Sequence, residues 1–411
     1  MRISFRRFAS VTTRSLVATL ALACLTGADW RQFRGNDLTS VVADAKLPTT
    51  WSGTDDKTEN IGWKAPLPGR GLSGPIVVNG RVYVTASSGF SQDRLHVLCF
   101  DQGSGKKLWE RQFWATGRTM THPKTTVASS TPCSDGTRIF AQFSSNDVAC
   151  LDLDGNLLWY RGLTHDFPNA SNSLGMASSP VVVGDTLICQ VENDAESFAT
   201  GLDVNNGASR WKKVRPKRAN WTSPVTLKDE SGRTQVMLQS SAGIEAIDAN
   251  SGSKLWEFTK GASTIPSSVV TNGSLLIPSN GLTSVKPSAG SGFELLWNEG
   301  KLGPATASPI VLGDKVFTLN SAGVMSAAEV ATGKLAWQLR LKGPFTSSPV
   351  GSGSHLVIFN EAGLGQVVNV AGEKGEIVSE NDIKETILAT PALSGNAIFV
   401  RSDKHLWKIG G

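Results

Sequence analysis

Between Trp221 and Trp256 short apolar runs alternate with tight polar turns, and the pattern defines one repeating unit. It opens with Trp221-Thr222-Ser223-Pro224-Val225. A polar turn over 228–232 leads into the apolar strand Gln235-Val236-Met237-Leu238-Gln239. A second turn, 240–243, leads into Ile244-Glu245-Ala246-Ile247-Asp248. Apolar and polar positions alternate there, as in a half-buried strand. Asp248, Gly252 and Trp256 then follow at intervals of four residues.

The unit repeats along the chain. Its opening proline recurs as Pro75, Pro132, Pro180, Pro224, Pro266, Pro309, Pro349 and Pro391, at steps of 40–57 residues. Its closing tryptophan recurs as Trp63, Trp109, Trp159, Trp211, Trp256, Trp297 and Trp337. The Asp-Gly-Trp spacing recurs at Asp101, Gly105, Trp109, at Asp203, Gly207, Trp211, and with glutamate at Glu329, Gly333, Trp337. Aspartate closes a turn through its own backbone, glycine permits positive φ, and tryptophan stacks on the next unit. Asn79-Gly80, Asp135-Gly136, Asn272-Gly273 and similar pairs mark the first hairpin. A period of this length with strand content predicts propeller blades. The expected fold is all-β: eight four-stranded antiparallel blades over residues 61–411.

The last unit stops after Leu406-Trp407-Lys408-Ile409, with Trp407 on its third strand. Ile61-Gly62-Trp63-Lys64-Ala65 reads as the missing fourth strand, so the N-terminal strand is expected to close the ring and remove an open edge. Two units depart from the pattern. Blade 7 has Val378 near the tryptophan position, and in blade 5 Gly292 is one residue out of step.

The repeat resembles that of the pyrroloquinoline-quinone (PQQ) propeller family, whose units read roughly Ala-x-Asp-x-x-x-Gly-x-x-x-Trp. The resemblance covers residues 61–411. It implies one of two functions: a quinoprotein alcohol dehydrogenase, or a BamB-like periplasmic scaffold without a cofactor. The dehydrogenases clamp the quinone with two adjacent cysteines and use Ca²⁺ with an aspartate base. This chain has no adjacent cysteine pair.

Residues 1–28 carry Arg2, Arg6, Arg7 and Arg14 and no acid, then an apolar run from Leu16 to Leu25 and Thr26-Gly27-Ala28. That is a secretory leader, too short to span a bilayer, with cleavage expected after Ala28. Lipidation of Cys24 is the alternative. The mature protein is expected to be periplasmic or secreted, without a transmembrane segment, and monomeric, with residues 29–60 as an extension before the propeller. Without the leader's four arginines, 36 basic residues face 35 acidic ones, so no global field points to nucleic acid. Cys99, Cys133, Cys150 and Cys189 lie in or beside apolar strand sequence and read as buried free thiols.

The crossings between blades, together with the turns between second and third strands on the same face, surround the channel mouth and are where any chemistry is expected. Three are long: 113–129 with Arg118, His122 and Lys124, 161–178 with His165, Asp166, Asn169 and Asn172, and 212–221 with Arg215, Lys217, Arg218, Asn220 and Trp221. They mark one side of the channel mouth as a polar pocket. The ligand candidates are His122, Lys124, His165, Asp166, Asn169, Arg215, Arg218 and Trp221. Tryptophan and arginine there suit a stacked or anionic ligand. The acidic turn 192–196 offers Glu192 and Asp194 as metal candidates. The competing account packs these loops on the extension around Trp30 and Trp51. His96, His355 and His405 fall in strands and read as structural. No nucleophile elbow, phosphate loop or zinc-protease motif occurs. The expected function is therefore a binding or scaffold propeller for an envelope protein, peptide or glycan, with no cofactor. The alternatives are a PQQ- and calcium-dependent oxidoreductase, or a hydrolase or lyase using the loops over blades 2–4.

Overall fold

The computed structural model describes Met1 and residues 29–411 except 55–56, 171–173, 230 and 289–291. The expected leader with Cys24, and Asn172 of the second crossing, lie outside the described residues.

The chain forms eight four-stranded antiparallel blades plus a small hairpin, Ser52–Thr54 with Lys57–Glu59. Blade 4 is representative: Val225–Lys228, Thr234–Ser240, Gly243–Asp248 and Lys254–Phe258, each strand paired with the next. The apolar second and third strands of each blade are buried on both faces and pack against the neighbouring blades, so the core is a series of layers between blades.

The ring closes as the sequence predicts. Ile61–Pro66 pairs antiparallel with His405–Ile409 and supplies the outer strand of blade 8, with Lys64 opposite Trp407. Arg401 of the same blade is fully buried and donates to Ser73 Oγ at 2.9 Å and the Thr85 carbonyl at 2.7 Å, which staples blade 8 to blade 1.

The tryptophans act between blades. The indole N–H of Trp63, Trp109, Trp159, Trp211 and Trp297 donates at 2.9–3.0 Å to the carbonyl that follows the Asp or Glu of the next blade's turn. Each ring lies over the glycine of that turn. At Gly252 the backbone has φ +69°, and an added Cβ would lie 2.6 Å from the Trp211 ring, so glycine is required twice over. The aspartates close their turns by accepting backbone N–H groups, as Asp248 does from Asn250 and Ser251.

Three positions differ from the sequence reading. In blade 7 the tryptophan position is Ser379, paired with Val367 as Trp337 pairs with Ala327, so Val378 is one residue off. Blade 5 lacks the Asp-x-x-x-Gly turn, and Trp256 packs on Phe293 and donates instead to Gln235 Oε1 at 2.8 Å. The inner strand of blade 5 starts at Val269, so Ser268 and not Pro266 fills the proline position. Ser268 has an N–H that proline lacks, and it donates to Gln239 Oε1 at 2.8 Å.

The extension before the closing strand crosses the face that carries the first-hairpin turns. Trp30 exchanges backbone hydrogen bonds with Val77, and Val42 and Ser40 bond Gly351. Arg34 is fully buried. It donates to the carbonyls of Ser268 at 2.8 Å and Pro309 at 2.7 Å and to Ser40 Oγ at 3.1 Å, and burial lowers its pKa to about 9. Residues 49–54 strap the outer edge of blade 7. Trp51 N–H donates to Asn381 Oδ1 at 3.0 Å, its ring packs on Phe359, and Ser379 Oγ donates to the Thr49 carbonyl. The extension therefore closes one end of the channel and leaves the crossings at the other end uncovered.

Candidate functional site

The open end of the channel is a cavity of about 370 Å³, walled where the inner strands begin. Seven side chains repeat around it: Thr131, Ser179, Ser223, Ser267, Ser308, Ser348 and Thr390. Each hydroxyl oxygen accepts the backbone N–H of the equivalent residue in the preceding blade, at 2.9–3.1 Å, beginning with Gly74. The ring of bonds is broken only at Gly74, which has no hydroxyl. The seven side chains are buried, yet none donates its proton to a protein acceptor among the described residues. An O–H donor held in a buried wall without an acceptor is costly unless water or a ligand takes the bond.

Leu72, Leu174, Ile265, Leu388 and Trp221 form the apolar part of the wall, and Phe33 of the extension reaches the cavity. Among the described residues its acidic and basic lining groups, His122 aside, are paired. Lys124 Nζ lies 2.9 Å from Glu361 Oε2, which joins the crossing before blade 2 to a turn of blade 7, and Thr346 donates to Glu361 Oε1 at 2.8 Å. His122 Nδ1 accepts the Lys124 backbone N–H at 3.1 Å, which leaves its Nε2 as the outer nitrogen. The Trp221 indole N–H is held by the Gly175 carbonyl at 2.9 Å.

Of the eight ligand candidates, the structure thus brings His122, Lys124 and Trp221 to one cavity. The others lie elsewhere. His165 and Asp166 are on a four-residue helix, Leu163–Asp166, where Asp166 pairs with Arg161. Asn169 is exposed and its carbonyl accepts the Glu196 N–H at 3.2 Å. Arg218 is exposed and does not line the cavity. Arg215 corrects the expectation of an anion site. It is buried with Nε 2.6 Å from Glu192 and Nη1 2.5 Å from Glu245, and it donates to the Leu238 carbonyl. Its charge is already neutralised by two carboxylates.

The same network removes the acidic turn as a metal site. Glu192 is buried, and its oxygens accept from Arg215, Gln190 and Asn220. Burial raises its pKa against the pull of Arg215. Asp194 accepts the Ala219 N–H at 3.3 Å. Among the described residues no three His, Cys, Asp or Glu side chains are grouped to hold a metal ion.

Sequence reasoning missed the hydroxyl ring, Ile265, Glu361 and Phe33. The ring had a signal: a serine or threonine stands directly before six of the eight strand-opening prolines. The other three had none, because they come from distant blades and from the extension. Cys99, Cys133, Cys150 and Cys189 are buried and unbridged, and burial pushes the thiols of Cys99, Cys150 and Cys189 up to about 12.

The family model described as "Outer membrane protein assembly factor BamB" matches residues 38–233, 240–349 and 323–410. The chain belongs to this family of PQQ-repeat propellers. No curated protein matched it in sequence. Among solved structures, BamB from Moraxella catarrhalis aligns with a TM-score of 0.61 at 18% identity, over 85% of this chain and 97% of that one. A europium-containing methanol dehydrogenase aligns with a TM-score of 0.70 at 12% identity, over 92% and 90%. The quinohemoprotein alcohol dehydrogenase from Comamonas testosteroni aligns at 0.66 and 12%, over 93% and 81%. At these identities the likeness is one of fold, and the family fold serves both an assembly factor and dehydrogenases.

Proposed function

We propose that this protein is a binding propeller of the cell envelope that holds an oxygen-rich segment of a protein, peptide or glycan in its funnel and turns over no quinone. The observation that carries this reading is the ring of seven buried hydroxyls with no acceptor of their own. It faces a funnel with apolar walls, and Leu174 and Ile265 are exposed at its rim. Such a wall recognises carbonyl and hydroxyl oxygens together with apolar surface. The family's assembly-factor description supports a role in the envelope.

The donor set suits a quinone with calcium poorly. Pyrroloquinoline quinone is a tricarboxylate, and the one lysine of the cavity is already paired with Glu361. Calcium takes six to eight oxygens, with carboxylates prominent among them, and Glu361 is the single carboxylate of the wall among the described residues. None of the four mature cysteines lines the cavity.

The expected result of incubating the purified protein with PQQ and Ca²⁺ is no retained chromophore and no dye-linked alcohol oxidation. Either signal overturns this reading. A photo-crosslinking residue at Ile265 is expected to give a discrete adduct in cells, whereas one at Leu157 on an outer strand gives none. Equal yields at both positions count against the funnel. Export follows from the leader: intact-mass measurement is expected to find a mature chain starting at Asp29, and a diacylglycerol-modified Cys24 would make it an anchored lipoprotein instead.

A further inference from the structure

Blade 1 carries a side-chain array that the funnel does not use. Its second, third and fourth strands are Arg81–Ser88, Arg94–Asp101 and Lys107–Trp114. Their register sets Ser88 opposite Arg94, His96 opposite Gln112, and Leu98 opposite Glu110. Paired residues share a face of a sheet, as do residues two apart, so Ser88, His96 and Glu110 lie on one diagonal of one face. Ser88 Oγ is 2.7 Å from His96 Nε2, and His96 Nδ1 is 2.8 Å from Glu110 Oε1.

The protonation pattern follows from the partners. Burial by itself would raise the Glu110 pKa, but hydrogen bonds from Lys107, His96 and Gln112 hold it below the usual carboxylate range. An ionised carboxylate only accepts, so His96 Nδ1 carries the proton. In the neutral ring Nε2 is then the acceptor, and the Ser88 hydroxyl donates to it. This is the arrangement of an activated nucleophile, its base, and the group that orients the base. His96 is 3% exposed, while Ser88 is partly exposed and is followed by the exposed Gly89 and Phe90. The backbone N–H groups of Gly89 and Phe90 donate to no protein group among the described residues, which leaves them free for a developing oxyanion. Gly89 has φ +86°, so the chain turns sharply straight after the serine.

We propose that Ser88, His96 and Glu110 form a nucleophilic site that cleaves short acyl esters, independent of ligand binding in the funnel. Ser88 Oγ attacks the ester carbonyl carbon while its proton passes to His96 Nε2. The bond to the alkoxy oxygen breaks, and that oxygen leaves with the electron pair and takes the proton from His96. Water then attacks the acyl-serine and gives one proton to Nε2. The bond to Oγ breaks, Oγ recovers the proton, and the carboxylic acid departs. Glu110 touches no reacting atom and is the positioning residue. The acyl group must be short because the crossing before blade 1 passes over the serine: a Cβ on Gly69 would lie 3.1 Å from the Ser88 Cβ.

The test is labelling of the purified chain with a fluorophosphonate probe, peptide mapping, and p-nitrophenyl acetate turnover, with circular dichroism to report folding. Ser88 is expected to be the labelled residue, and Ser88→Ala to abolish both labelling and turnover. His96→Gln is expected to slow labelling by about 100-fold or more, the scale of a lost general base. Glu110→Gln, at a less buried position than His96, is expected to slow it with the fold retained. A folded chain that is not labelled at Ser88 overturns the proposal. So does an unchanged rate in His96→Gln, or in Glu110→Gln if the histidine variant does not fold.

Discussion

Replacing Trp211 with alanine is expected to lower stability by about 3–5 kcal/mol, the range for a large buried aromatic. The indole is 9% exposed, lies over Gly252 and donates to the Ala249 carbonyl at 2.9 Å. Its removal opens a void between blades 3 and 4 and leaves a carbonyl without its donor. Urea unfolding measures the loss as a lower midpoint at constant slope. Gly252→Ala tests the same contact from the other side, since the new methyl must displace the ring and adopt positive φ. Trp256→Ala is expected to cost a similar amount by a different route, because that indole is 3% exposed against Phe293. Trp109 is only half-buried, so the loss there is expected to be the smallest of the three. Loss of ligand binding with unchanged stability would reverse the packing assignment.

Deleting residues 29–66 is expected to give an aggregating protein. The deletion removes Ile61–Pro66 and exposes the backbone edge of His405–Ile409, together with Trp407, Phe399 and Ile398 of the blade 8 core. An unpaired apolar edge strand is a template for association with another copy. Light scattering during size-exclusion chromatography reads the result. A monomer with an unchanged melting temperature would show that the closing strand is dispensable. Deleting only 29–60 keeps the closing strand and removes Arg34, Trp51 and the strap on blade 7. This shorter deletion is expected to stay monomeric, to melt at a lower temperature and to open the channel at both ends. The contrast separates ring closure from channel closure.

The blade count, the closing strand and the tryptophan lock were legible in the sequence because each is local. A primed-turn dipeptide sets its hairpin within a few residues, and Asp-x-x-x-Gly-x-x-x-Trp builds turn and anchor from one short segment. Blade 5 shows the limit of such reading. Pro266 looks like a strand opener, but the strand begins at Val269, and only the bond from Ser268 to Gln239 reveals the shift. Blade 7 shows another, because Ser379 takes the tryptophan position and the extension, through Thr49 and Trp51, covers that edge.

The site was legible only in part. Loop length and polar content pointed to His122, Lys124 and Trp221, which line the cavity, but equally to His165, Asp166, Asn169, Arg215 and Arg218, which do not. Burial decides between the two outcomes: the Arg215 guanidinium, which reads as an anion ligand in a loop, is in the fold paired with two carboxylates, Glu192 of a turn and Glu245 of a strand. Glu361 meets Lys124 across 237 positions of sequence, and Ser88, His96 and Glu110 meet across three strands. The sequence by itself determined the repeat, the strand count and the way the ring closes, because these follow from periodicity and turn chemistry within single blades. Tertiary structure alone decided which end of the channel is open, which charges are free and which side chains converge, because those depend on the register between strands and the stacking of blades far apart in the chain.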